Sequence, residues 1–219
     1  MAFGLLSWAW ALDTVTIARP GLPRISSTLA RVETRLTAAY SALGITPRFI
    51  DLPPLRATLY AATGQIDGEM VRVAIPPEYQ DRFVRVNVVV AHFNVVVITA
   101  NAALRVERPE DLGRLRVGVV RGIYAAEETA RYAARIEAAE SYEALYQMLR
   151  LGRIDAVLSV HFEDTGPRRG PYLRHDVLVG HVVNEAVTRW PGYHFLNSRH
   201  LELAKRLTQQ LRKPAHAQK

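Results

Sequence analysis

Arginine offers the most chemistry in this chain. Of 28 basic side chains, only Lys205, Lys213 and Lys219 are lysines. A guanidinium carries a planar fork of donors that fits a carboxylate or phosphate in a two-point contact. Three arginines draw notice. Arg72 is set between Val71 and Val73, Arg82 belongs to the short basic cluster with Arg85, and Arg121 precedes Gly122 at a strand-to-helix turn. The adjacent acids Glu127-Glu128 and Glu163-Asp164 lack a second, opposed carboxyl to act as general acid, so glycosidase chemistry is not expected. The seven histidines form neither His-x-x-x-His nor His-Glu-x-x-His, which leaves no support for a zinc hydrolase. Nucleophile-elbow, P-loop and dinucleotide-binding glycine patterns are all missing from the sequence. Tyr40, Tyr60, Tyr79 and Tyr124 are candidates to line a cleft or its rim. No catalytic residue, metal or cofactor is expected from these patterns.

The elements that must position these residues follow from composition and periodicity. The chain has 219 residues, 49% hydrophobic and 22% charged, with a net charge of +7. That is a globular composition with enough chain for a sizeable core. With no cysteine, a disulfide scaffold and a thiol nucleophile are excluded. The basic residues are scattered and do not alternate with aromatics, so nucleic acid is not an expected partner. Residues Ile25, Leu29, Val32, Leu36, Ala39 and Leu43 repeat every three or four positions, which predicts an amphipathic helix capped by Ser26 or Ser27 and ended by Gly44. Strands are expected over 13–18, 46–52, 66–73, 85–91, 95–100, 116–120, 135–138, 154–160 and 177–186, with a short extended piece over 193–196. Further helices are expected from Pro54 to Gly64, over 125–134, over 141–151 and over 198–212. Strands alternating with helices define an α/β chain with mainly parallel sheet and flanking helices.

The chain echoes itself. Leu59–Gly68 contains Gly64-Gln-Ile-Asp67, and Leu149–Ala156 contains Gly152-Arg-Ile-Asp155, with the two aspartates 88 residues apart. Each echo follows a strand–helix–strand–helix run. Two similar halves with separate sheets are therefore expected, and each aspartate should bond backbone amides at its helix-to-strand junction.

Four stretches carry a resemblance: Ala61–Gly68, the run EDLGRLRVGVVRG from Glu110 to Gly122, Leu149–Leu158, and the closing segment from Tyr193-His194 to His200-Leu201. In these, the chain resembles the extracellular solute-binding proteins of the polar amino-acid ABC-transporter class, as a divergent member. The resemblance implies a two-lobed type 2 periplasmic-binding-protein fold with two hinge crossings, around 98–104 and 178–183. Lobe one would be 12–98 with 182–219, and lobe two 104–178. The ligand would sit in the cleft between them.

The resemblance also implies a set of ligand contacts. A lobe-one arginine beyond the Gly-x-Ile-Asp strand would clamp a carboxylate, which points to Arg72 or Arg82. Backbone amides at Gly122, beside Arg121 and Tyr124, would form a second clamp, although Ile123 and Tyr124 stand where the family has a hydroxyl. The carboxylate that pairs with an amino group falls by count on Val160, so Glu163, with Asp164 next to it, is the nearest replacement. This set implies a small polar solute, anionic or amino-acid-like, delivered to the membrane permease of an ABC importer by a monomer. The alternatives are an enzyme or ligand-sensing domain on the same fold, or a degenerate member that binds a protein partner.

Residues 1–11 read as the remnant of an export signal. The stretch Phe3–Leu12 is apolar, and Ala9-Trp10-Ala11 fits the small-x-small cleavage pattern, which places the mature protein in the periplasm. Mass spectrometry of the protein from its natural host is expected to find a chain beginning near Leu12. Recovery of an intact Met1 from the cytosol would remove the claim.

Overall fold

The structure is a computed structural model that describes residues 13–20, 27–164, 166–174 and 177–213. Segment 1–11, read from sequence as an export signal, lies outside the described residues, as does its expected cleavage point. So do Ile25 and Ser26 of the first helix.

In chain order the elements are β1 (Thr14–Arg19), α1 (Ser27–Ser41), β2 (Thr46–Asp51), α2 (Pro54–Ala62), β3 (Gly68–Arg72), β4 (Phe83–Thr99) and β5 (Arg116–Val120). They continue with α3 (Tyr124–Ala130), β6 (Arg135–Ala139), α4 (Tyr142–Arg150), β7 (Ala156–Phe162), β8 (Gly170–Arg174), β9 (Val177–Val182), β10 (Thr188–Asn197) and α5 (Leu201–Arg212). Single 3-10 turns cover Pro77–Arg82, Pro109–Arg114 and Ser198–His200. No helix among the described residues is long and apolar enough to cross a membrane.

The strand order is β2-β1-β3-β10-β4-β7-β5-β6, with the β8–β9 hairpin beside the end of β4. Both flanks are parallel: β2-β1-β3 at one end, β7-β5-β6 at the other. The middle is antiparallel, where β10 and β4 pair with each other and β4 continues onto β7. The α/β class with flanking helices stands. The expectation of separate sheets is corrected, because hydrogen bonding runs unbroken through β10 and β4.

One element explains that correction. Residues 85–91 and 95–100 form parts of a single 17-residue strand, β4. By residue type Asn87, His92 and Asn94 read as breaks; Asn87 and His92 are exposed, where a polar side chain that faces water needs no break, while Asn94 is buried yet paired in the ladder with Arg189 and His161. Likewise the short piece at 193–196 is part of the ten-residue β10. Pro191 is accommodated because β3 pairs with β10 only from Tyr193 onward, so no strand needs an N–H at Pro191 on that side. The strand β8 had no sequence expectation, and α3 is shorter than expected.

The two echoes fold alike. Asp67 accepts from the Thr16 N–H at 2.8 Å and returns its own N–H to the Thr16 carbonyl at 2.8 Å. Asp155 does the same with Arg116, both bonds at 2.8 Å. In each half a guanidinium clasps the junction. Arg199 joins Asp67 (2.6 Å) to the Gly64 carbonyl (2.9 Å), and Arg116 joins Asp155 (2.8 Å) to the Gly152 carbonyl (2.9 Å). Gly64 and Gly152 hold φ of 77° and 65°, the left-handed helix ending that favours glycine. Both aspartates are thus structural, and they start the parallel strands that lead to the cleft.

Burial alone would raise the Asp67 carboxyl. His200, the Thr16 N–H and Arg199 outweigh it and hold the carboxyl down at about 2. Its stabilising contribution is therefore full above the unfolded value near 4 and is lost as pH falls through about 2. Asp67→Asn is expected to cost on the order of 2 kcal/mol at neutral pH. In urea unfolding from about pH 6 down to pH 2, the gap between variant and wild type should close. A gap that stays constant across that range would show that charge on Asp67 does not stabilise the fold.

Candidate functional site

A cavity of about 60 Å³ opens where the carboxyl ends of the parallel strands meet. Its wall is built by Arg19 at the end of β1, Pro54 and Ala57 of α2, Glu69, Val71, Arg72 and Val73 around the end of β3, and Phe93 of β4. Gly122 to Ala125 ahead of and in α3, and Val160 of β7, complete it. Carboxyl ends of parallel strands are where ligands bind in open α/β sheets.

The chemistry at this wall depends on a bulge. Across β3 and β10, Glu69 faces Phe195 and Arg72 faces Tyr193, so three steps of β3 oppose two of β10. The extra residue turns Glu69 and Arg72, which regular alternation would point apart, toward the same cavity. His194, opposite the bulge, fixes it. Its Nδ1 donates to the Glu69 carbonyl at 2.8 Å, which leaves Nε2 to accept from the Tyr40 hydroxyl at 2.8 Å. Burial drives His194 down to about 4, against the pull of the Glu69 and Met70 backbone, so the ring is neutral at pH 7. Burial likewise pushes the Tyr40 hydroxyl up.

Glu69 and Arg72 form an ion pair at 3.0 Å, with side chains only 6% and 10% exposed. Burial pushes the Glu69 carboxyl up, and the Arg72 charge, with the Thr58 hydroxyl, only partly offsets this. Glu69 Oε1 is buried and has no hydrogen-bond partner among the described residues. Arg72 also donates to Thr58 Oγ1 (3.0 Å) and, from its other terminal nitrogen, to the Gly122 carbonyl (3.0 Å).

Gly122 is where the β5–α3 turn meets α2. It holds φ of 81°, and a Cβ there would lie 2.8 Å from the side chain of Leu55. Its N–H donates to Glu127 Oε1 at 2.7 Å, so this backbone donor is already met by the chain's own carboxylate. Tyr124 lines the cavity with its ring edge-on to Trp190, centroids 6.2 Å apart.

The structure thus brings Arg72, Gly122 and Tyr124 together and places the other three candidates elsewhere. Arg82 is exposed at the end of a 3-10 turn. Arg121 is exposed and pairs with Glu140 at 2.9 Å. Glu163 is exposed, 3.4 Å from Arg189 and 4.0 Å from His92. Its neighbour Asp164 joins Arg31 of α1 at 2.6 Å and accepts from the Thr28 hydroxyl. Of the four tyrosines, only Tyr124 reaches the cavity, and Tyr40 is in the core. Sequence reasoning missed Glu69 and Thr58 as members of the site. The signal for Glu69 was present: a carboxylate inside the otherwise apolar run Met70-Val71, three residues before an arginine.

No family model matches the sequence, and no curated protein matches it. Solved structures do match its shape. Holo ArgBP from T. maritima superposes with a TM-score of 0.66 at 14% identity, over 93% of this chain and 92% of that one. The GluR0 ligand-binding core in complex with L-glutamate gives 0.64 at 13% identity, over 92% and 91%. The ancestral amino-acid-binding protein AncCDT-1, a precursor of cyclohexadienyl dehydratase, gives 0.61 at 18% identity, over 91% and 88%. The fold is that of the two-lobed type 2 binding proteins. At these identities the chain is a divergent example of it.

A buried pair behaves differently when one partner or both are removed. Arg72→Met leaves Glu69 uncompensated and is expected to cost about 3–5 kcal/mol in chemical denaturation. The double change Glu69→Leu with Arg72→Met should recover most of that loss. Single and double variants that lose stability additively would show that the two charges are not coupled.

Proposed function

We propose that this chain is a solute-binding protein that closes on a small polar solute in the cavity beside Glu69 and Arg72. The observation that carries the reading is the buried ion pair turned toward a cavity at the carboxyl ends of parallel strands. A buried charge pair is costly to maintain, and a bulge and a buried histidine hold this one in place. The comparisons support binding rather than catalysis, since the neighbours named above are binding proteins or ligand-binding cores.

In this reading lobe one is 12–98 with 182–219, lobe two is 104–178, and the bond from Arg72 to the Gly122 carbonyl joins them over the ligand. The protein works as a periplasmic monomer and delivers its solute to the permease of an ABC importer.

A thermal-shift screen of amino acids, organic acids and amines tests the reading. A solute at a hundred times its Kd stabilises by about 2.7 kcal/mol, a rise of roughly 5–10 °C for a chain of this size. Val160→Phe, which fills the cavity from β7, should remove the shift while the variant still unfolds cooperatively. A solute that shifts Val160→Phe as much as wild type binds elsewhere and overturns the assignment of the cavity.

A further inference from the structure

The charges on the cavity wall say what kind of solute it suits. Two cations line it, and both are already answered. Arg19 makes a two-point contact with Glu33, both bonds at 2.8 Å, lies 3.7 Å from Asp51 and donates to the Phe49 carbonyl at 3.0 Å. Arg72 is held by Glu69, Thr58 and the Gly122 carbonyl. The N–H of Gly122 is held by Glu127. An anion drawn to any of these three donors would have to break one of these pairs. Among the buried side-chain polar atoms of the lining residues, the one without a partner among the described residues is an acceptor, Glu69 Oε1, on a side chain more than nine-tenths buried.

Resting on the solute-binding reading, we propose that Glu69 is the residue that selects the solute, and that the solute is a compact cation, a primary ammonium on a short alkyl body. The ammonium donates to Glu69 Oε1 while Arg72 keeps Oε2. The alkyl part lies against Ala57, Val71, Phe93 and Ile123. A cavity of about 60 Å³ suits a body of a few heavy atoms. An ammonium is a strong donor to a carboxylate, and such charge-assisted bonds gain strength away from water. This departs from the anionic or amino-acid-like solute that the resemblance implies.

The protonation of Glu69 gives a second readout. The charged and titratable groups around it are Arg72 on its own strand, Arg19 from β1 on the same wall, Tyr124 from α3, and His194 from β10 behind its backbone. A bound ammonium favours the ionised carboxylate, so binding releases whatever proton Glu69 carries. Affinity should therefore fall as pH drops, although the alkylammonium itself stays charged throughout.

The experiment uses the full chain, titrated by calorimetry with methylammonium and ethylammonium, and in parallel with acetate, propionate and glycine. The alkylammonium ions are expected to bind wild type more tightly than the carboxylates. Binding should weaken at least about tenfold in Glu69→Gln, the loss of one charge-assisted bond. In wild type alone it should weaken as pH falls toward the titration range of Glu69, which burial raises above the ordinary carboxylate range, and this tests the role of Glu69 even if the variant does not fold. Equal affinity of Glu69→Gln for ethylammonium overturns the proposal. Acetate or propionate binding in preference overturns it too, yet leaves the solute-binding reading intact. If the broader screen of amino acids, organic acids and amines also finds no solute that shifts wild type, both fall together.

Discussion

A carboxylate taken out of water must be answered by the protein around it, and in this chain that carboxylate is Glu69. Its burial requires Arg72 at hydrogen-bond distance on the same side of β3. Regular strand geometry forbids that for residues three apart, so β3 carries a bulge. The bulge leaves the Glu69 carbonyl to be met by His194, and His194 in turn requires the Tyr40 hydroxyl from α1. In the other direction, the guanidinium that neutralises Glu69 reaches the Gly122 carbonyl, and so couples β3 to the β5–α3 turn. A single desolvated charge thus organises groups from α1, α2, β3, β10 and the start of α3.

The scaffold beneath this arrangement was legible in the sequence because it is made of local rules used twice. A glycine ends a helix in the left-handed region, and an aspartate three residues later seals the next strand to its parallel neighbour. Gly64 with Asp67 and Gly152 with Asp155 both do this, down to matching bonds with Thr16 and Arg116. The helical stripe from Leu29 to Leu36 and the capping of α4 by Ser141 were equally readable. What escaped was whatever depends on partners far along the chain. Residues 85–100 form one strand because β10 and β7 continue its ladder past Asn87 and His92, and no local pattern announces that.

The site was legible only in part for the same reason. Arg72, Gly122 and Tyr124 sit at strand ends or turns, where position along an element determines position in the fold. Arg82, Arg121 and Glu163 were equally plausible by residue type, but a one-element displacement carries a long side chain to the surface, where Arg121 pairs with Glu140 and Glu163 with Arg189. From the sequence Glu69 reads as no more than a salt-bridge partner for Arg72, and that pair is present. The bulge that turns it into the cavity is set by the pairing of β3 with a strand 120 residues later in the chain, and nothing in its own neighbourhood encodes that.

The length of β4 has a mechanical consequence. Seventeen residues at about 3.4 Å each make a ribbon of nearly 60 Å, bonded at one end to β10 and at the other to β7. Any rotation of one half of the molecule against the other must be taken up as torsion along this ribbon, not as free swinging about a slack tether. A pleated ribbon resists bending in the plane of its hydrogen bonds and yields to twist, so the motion it permits has a preferred axis and an elastic return. A cavity walled in part by this ribbon, at Phe93, therefore rests on an elastic support.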